Sequence, residues 1–220
     1  MVIEKDKNSV NTLEIAAATP NPIIIERFNP AAYLPYGCEI NHVQNAMREF
    51  CEFLALINQN LVARDIQRLE SLLMPANFSS MVGEFTAAGI AKYCPTLVKN
   101  QYHNGHPDLI PADQFPDDAV RYTSEGIEIK ASRYFRGWQG HNPENVWLMI
   151  FIFESNRPSD ATKHIAPKPF QFRRVIAAPL LKEDWLFAGR SETSRRTITA
   201  SITPSGYDKL MANWIYNAPT

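Results

Sequence analysis

The chain has 220 residues, a formal net charge of −1, 45% hydrophobic residues and 20% charged residues. That length and composition suit one α/β domain with a full core and exclude a disordered or disulfide-stapled chain. The near-neutral total argues against a nucleic-acid binder until it is divided: residues 130–196 carry 12 Lys/Arg and 6 Asp/Glu, the remainder 10 and 17. Such segregation fits a protein that presents one basic surface to a polyanion, and fits equally a dipolar protein that binds nothing. Cys38, Cys51 and Cys94 show no Cys-x-x-Cys spacing, and their odd number points to a reducing compartment. The first residues lack the apolar core of a signal peptide, and the longest apolar run, Val146 to Phe153, is too short to span a bilayer. The expectation is a soluble cytoplasmic protein without a membrane partner.

Residues 1–37 read as an irregular arm, in which Ile23-Ile24-Ile25 is a short strand candidate between prolines. From Asn41, a candidate cap, the period becomes helical: Val43, Met47, Phe50, Leu54, Ile57 and Leu61 form one stripe. Asn58-Gln59-Asn60 is either a join between two helices or the polar face of one. Ile66, Leu69, Leu72 and Leu73 form a second stripe that Pro75 ends, so residues 41–74 read as helical. Ser79 or Ser80 is the expected cap of a further helix that packs through Val82, Phe85, Ala88, Ile90 and Tyr93 and stops at Pro95. The polar stretch after it carries His103 and His106, whose spacing invites a zinc reading. Without a cysteine or further histidine nearby, they are expected to face solvent or a ligand from a turn.

Next come Pro107-Asp108 and, after a Pro- and Asp-rich turn, Gly126-Ile127-Glu128-Ile129-Lys130. Side chains alternate along a strand, so Ile127 and Ile129 face a core while Glu128 and Lys130 face the other way. If the turn brings Asp108 in, two carboxylates and an ammonium share one place. Two hard oxygen ligands on a half-open site suit Mg²⁺. In isolation each piece is a common match, and the plain reading is an edge strand beside an ordinary turn.

In conjunction, Pro107-Asp108 and Glu128-Ile129-Lys130 resemble the PD-(D/E)xK nuclease superfamily, and within it the type II restriction endonucleases. The resemblance covers mainly Glu84 to Phe153. It implies a restriction-endonuclease-like α/β fold, a central mixed β-sheet flanked by α-helices. It implies Mg²⁺ held by Asp108, Glu128 and the carbonyl of Ile129, with Lys130 positioning or activating the attacking water. Glu84 stands where many such nucleases carry a further glutamate on the preceding helix; its other reading is a first-turn residue favoured by the helix dipole. The implied substrate is double-stranded DNA, cut site-specifically by a homodimer, with a cognate DNA methyltransferase implied genetically. A non-catalytic DNA-binding protein and a repair- or phage-type nuclease of the same superfamily are the alternatives.

Beyond the motif, Arg133 to Asn142 combines arginines, aromatics and glycines, and reads either as a DNA-contacting loop or as a connection anchored by Trp138. Arg133, Arg136, Gln139, His141 and Asn142 are the candidates there, since Arg suits guanine or phosphate and Gln or Asn suits adenine. Val146 to Phe153 is apolar without alternation, which predicts a strand buried on both faces beside the Glu128 strand. Phe170 to Leu181 is another strand candidate. Ser194 to Thr203 alternates again; Arg195, Arg196, Thr197 and Thr199 are candidate phosphate or base contacts on its polar face. A final helix is expected from Pro204, packing through Leu210, Met211, Trp214 and Ile215.

Overall fold

The computed structural model describes residues 12–140, 142–187 and 200–219. Its architecture is mixed α/β: a six-stranded mixed sheet flanked by helices, with a small three-stranded sheet beside it. In chain order the helices are α1 (Ile40–Val62), α2 (Leu69–Leu72), α3 (Pro75–Tyr93) and α4 (Pro204–Ala212). The strands are β1 (Leu97–Lys99), β2 (Leu109–Pro111), β3 (Ile127–Ser132), β4 (Gln139–Gly140), β5 (Val146–Glu154), β6 (Gln171–Leu180), β7 (Trp185–Phe187), β8 (Ala200–Ile202) and β9 (Trp214–Asn217). The large sheet runs β1-β2-β3-β5-β6-β9, with β3 and β5 parallel and the other neighbours antiparallel; the small one runs β4-β8-β7.

Strand β5 shows why its sequence carries no alternation. Met149, Phe151 and Phe153 enter the core under α1 and α3, whereas Val146, Leu148, Ile150 and Ile152 enter a second core with Trp138, Trp185 and Leu210. Both faces are covered, so both sets must be apolar. Strand β3 pairs with β5 over its whole length, Ile127 opposite Trp147 through Ser132 opposite Ile152. Ile127 and Ile129 accordingly join the first core, as their alternation predicts.

Helix α1 is continuous through Asn58-Gln59-Asn60, and Asn58 is buried against the next segment rather than marking a join. Its cap is Glu39, not Asn41: the Glu39 N–H donates to His42 Nδ1 at 3.0 Å, and the His42 N–H donates to the Glu39 carbonyl. The Ile66–Leu73 stripe yields only the four-residue α2, since the chain there is bent around a buried Arg68–Glu70 ion pair. Helix α3 starts at Pro75, with Met74 as its cap and Pro at the first position; neither Ser79 nor Ser80 caps it. A Cβ on Gly89 of α3 would lie 2.8 Å from Ala46 Cβ of α1, so that glycine sets how closely the helices cross.

Three further expectations differ. Ile23 to Ile25 forms no strand; a short 3₁₀ turn covers Ile25–Arg27, and residues 12–17 are helical. The terminal stripe divides: α4 ends at Ala212, and Trp214 and Ile215 belong to β9, which pairs with β6. Thr203, expected at the end of a polar strand face, caps α4 by accepting from Gly206 N. No described helix is long and apolar enough to cross a membrane.

Candidate active site

Strands β2 and β3 pair at only one position, Leu109 opposite Ile127, and part beyond it. The Ile129 N–H on the parting edge needs another acceptor. Asp108 Oδ2 supplies it at 2.8 Å. This bond joins the Pro-Asp segment to the Glu-x-Lys strand. Gly126 permits the close approach: at φ +135°, a Cβ there would sit 2.1 Å from Leu109 O and 2.6 Å from Pro107 Cγ. The His106–Pro107 peptide bond is cis.

Asp108, Glu128, Ile129 and Lys130 line one open cavity of 590 Å³, together with Glu84 and Gln139. Lys130 Nζ donates to Glu128 Oε1 at 3.2 Å. Glu84 lies in the middle of α3, so the first-turn explanation of it falls away. Its carboxylate takes a hydrogen bond from Lys99 of β1 and still borders the cavity. Gly83, one residue earlier, lies against Ala131 and lets α3 approach β3.

Two groups that the motif does not contain complete the arrangement. His106 Nδ1 lies 3.0 Å from Glu128 Oε2, and Nε2 lies 2.7 Å from Glu144 Oε2. The second contact is close but poorly aligned, so it is an ion-pair contact more than a hydrogen bond. His106 therefore faces neither solvent nor a free turn; it clamps Glu128 from the side opposite Lys130. Burial disfavours a charged imidazole, yet the adjacent carboxylates of Glu128 and Glu144 outweigh it and raise His106 to about 9. Glu128 balances in the same way. Burial would raise it, but His106 and Lys130 hold it down at about 2. Asp108 goes the other way: burial, then the Glu128 charge, push it up to about 7 against the Ile129 N–H bond. The carboxylates are thus held apart in character, one firmly ionised and one short of positive charge.

That imbalance is what a divalent cation between them would correct, and the donors are hard oxygens suited to Mg²⁺. Asp108, Glu128 and the Ile129 carbonyl would hold the ion. A second set of ligand-type side chains converges elsewhere, Cys38, His42 and Cys94, with ligand atoms within 4.8 Å of one another. Thiols suit a soft ion, not Mg²⁺, and His42 Nδ1 already accepts the Glu39 N–H.

The remaining sequence candidates scatter. Gln139 borders the cavity from β4, and Asn142 is exposed just beyond. Arg136 lies over the Tyr207 ring, 5.4 Å from its centroid, and that ring stacks on Trp138 at the cavity wall. Arg133 turns inward: its guanidinium bonds Ser155 Oγ and the carbonyls of Pro75 and Asn156, and sits against Phe78 and Phe153. His141, Arg195, Arg196, Thr197 and Thr199 lie outside the described residues. Glu144 escaped sequence reasoning because nothing local marks it. His106 carries a signal in its adjacency to Pro107-Asp108, but its spacing from His103 fits a zinc pair as well.

Comparison with protein-family models, curated proteins and solved structures found no match for this chain.

Proposed function

We propose that this protein is a Mg²⁺-dependent endonuclease that hydrolyses phosphodiester bonds of double-stranded DNA, with a restriction-endonuclease-like fold. The observation that carries the reading is the Asp108 to Ile129 hydrogen bond, which brings together the two halves of a motif separated by some twenty residues. Mg²⁺, when bound, supplies Lewis-acid stabilisation of charge on the phosphate and the leaving oxygen. Asp108 and Glu128 present the oxygens that bind it. Lys130, fixed by Glu128, offers its ammonium to orient the attacking water and to take up charge growing on the phosphate. Water attacks phosphorus directly, the P–O bond to the leaving ester oxygen breaks, and no side chain becomes covalently attached. Glu84 adds a third carboxylate at the wall, suited to hold a hydrated ion or its waters.

The test is incubation of purified protein with plasmid DNA and Mg²⁺. Discrete fragments support a site-specific enzyme, smearing a less specific nuclease of the same kind, and no cutting under any divalent metal removes the proposal. Asp108→Asn should leave a folded protein whose cutting is lost by at least about 100-fold, in line with removal of a metal-binding or charge-stabilising group.

A further inference from the structure

A second concavity of 410 Å³ lies beside the catalytic cavity. Ser132 and Gly137 to Gln139 line the first, while Arg133 and Phe135 line the second, so one loop forms the wall between them. Five cationic side chains border this groove against two carboxylates. Both carboxylates have partners, and those of Glu154 are cations. Glu154 pairs with Lys168 at 2.5 Å and Arg173 at 3.7 Å. Asp160 accepts from the Arg157 backbone N–H and from Asn156. Arg157 lies over the Tyr134 ring, 5.2 Å from its centroid, and Lys163 makes no side-chain ion pair among the described residues.

The segment that presents these cations is built in advance. Asn156 Nδ2 bonds Ala166 O, and Asn156 Oδ1 accepts from Lys168 N at 2.7 Å and from the buried Arg68 at 2.9 Å. Positive groups fixed this close together repel one another. Burial and the neighbouring Arg157 charge lower Arg133 to about 10. An anion in the groove relieves that repulsion.

We infer that this groove binds the phosphodiester backbone of the DNA strand being cut, with Arg157 and Lys163 as its phosphate contacts. This inference rests on the nuclease reading for the identity of the strand. Arg133, on the near wall of the groove, follows Lys130 by three positions, roughly 10 Å along an extended chain, so the groove starts a short way from the proposed cutting site. Backbone contacts at such a distance fix register without reading bases.

The experiment is a salt titration of duplex binding by fluorescence anisotropy, with Ca²⁺ replacing Mg²⁺, on wild type, Asp108→Asn and the double variant Arg157→Gln/Lys163→Gln. The double variant should bind about 10-fold more weakly at moderate salt, and its log–log salt slope should shrink by about 2. Should the double variant misfold, the exposed Lys163→Gln alone should shrink the slope by about 1. Unchanged affinity and slope overturn the inference, as does failure of wild type to bind duplex. Thermal stabilisation by inorganic phosphate that the double variant loses, with duplex binding unchanged, also overturns it and leaves a small-anion site. Wild-type protein that binds through this groove but never cuts with Mg²⁺ removes the nuclease reading, and with it the identity of the strand, while the groove stands as a duplex-backbone site. Wild-type protein that cuts, beside a double variant that binds and cuts equally well, removes the inference alone.

Discussion

Glu128 is held from two sides, by Lys130 on its own strand and by His106 from across the parted edge. A carboxylate with one partner swings; with two, its oxygens have fixed directions. His106→Gln should therefore lower cleavage roughly 10- to 100-fold, the usual cost of losing a group that orients a metal ligand. As a positioning effect it should raise the Mg²⁺ concentration needed for half-maximal rate, alongside a fall in Tm near neutrality from the lost ion pairs; an unchanged Mg²⁺ dependence would count against the clamp. Gly126 is a different kind of requirement. Its missing Cβ is occupied by the Leu109 carbonyl oxygen, so Gly126→Ala must displace β2 from β3. We expect a loss of at least about 2 kcal/mol in chemical denaturation, together with loss of cutting. The shared placement of Glu128 and Lys130 was legible because strand alternation is local. The His106–Glu144 contact was not, because no periodicity relates residues on separate loops.

At the scale of elements, helices were legible where a long apolar stripe met the sheet, as in α1, and misread where a polar group was buried, as in α2. The start of α3 is marked by Pro75, since proline is favourable at a first helical position; the same residue fits the end of the preceding stripe equally well. Strand β9 was hidden because Leu210, Met211, Trp214 and Ile215 also satisfy a helical spacing. The start of α4 depends on Asp184, a buried carboxylate that accepts from Leu181 N and Lys209 Nζ and lies near Ser205 Oγ. Burial alone would raise Asp184, but these donors outweigh it and lower its pKa. A lowered folded pKa means the contribution is complete above the unfolded value, roughly 4. It is lost as pH falls through the folded value. Asp184→Asn should lower Tm near neutrality, and the gap from wild type should close as the medium is taken below about pH 4. Thermal melts across pH 2.5 to 7 would check it; a constant gap would refute the role.

Across the whole molecule, charge segregation was readable but its location was not. The groove cations Arg133, Arg157, Lys163, Lys168 and Arg173 all fall within the basic stretch 130–196, yet only folding gathers them on one concavity. What holds that concavity to the helical layer is Arg68. It is fully buried, donates to Glu14 at 2.7 Å and Glu70 at 2.5 Å, and reaches Asn156 and the Lys168 carbonyl across the fold. Glu70 in turn accepts from Asn58 of α1. Truncating one partner of a buried pair leaves an uncompensated charge, whereas replacing both with apolar groups can be close to neutral. Arg68→Met should cost about 3–5 kcal/mol, and Arg68→Met/Glu70→Leu should recover a large part of that loss. The double variant should nevertheless bind duplex more weakly, because Asn156 loses the donor that anchors the groove segment. Stability regained without loss of binding would show that the basic segment holds its shape without Arg68.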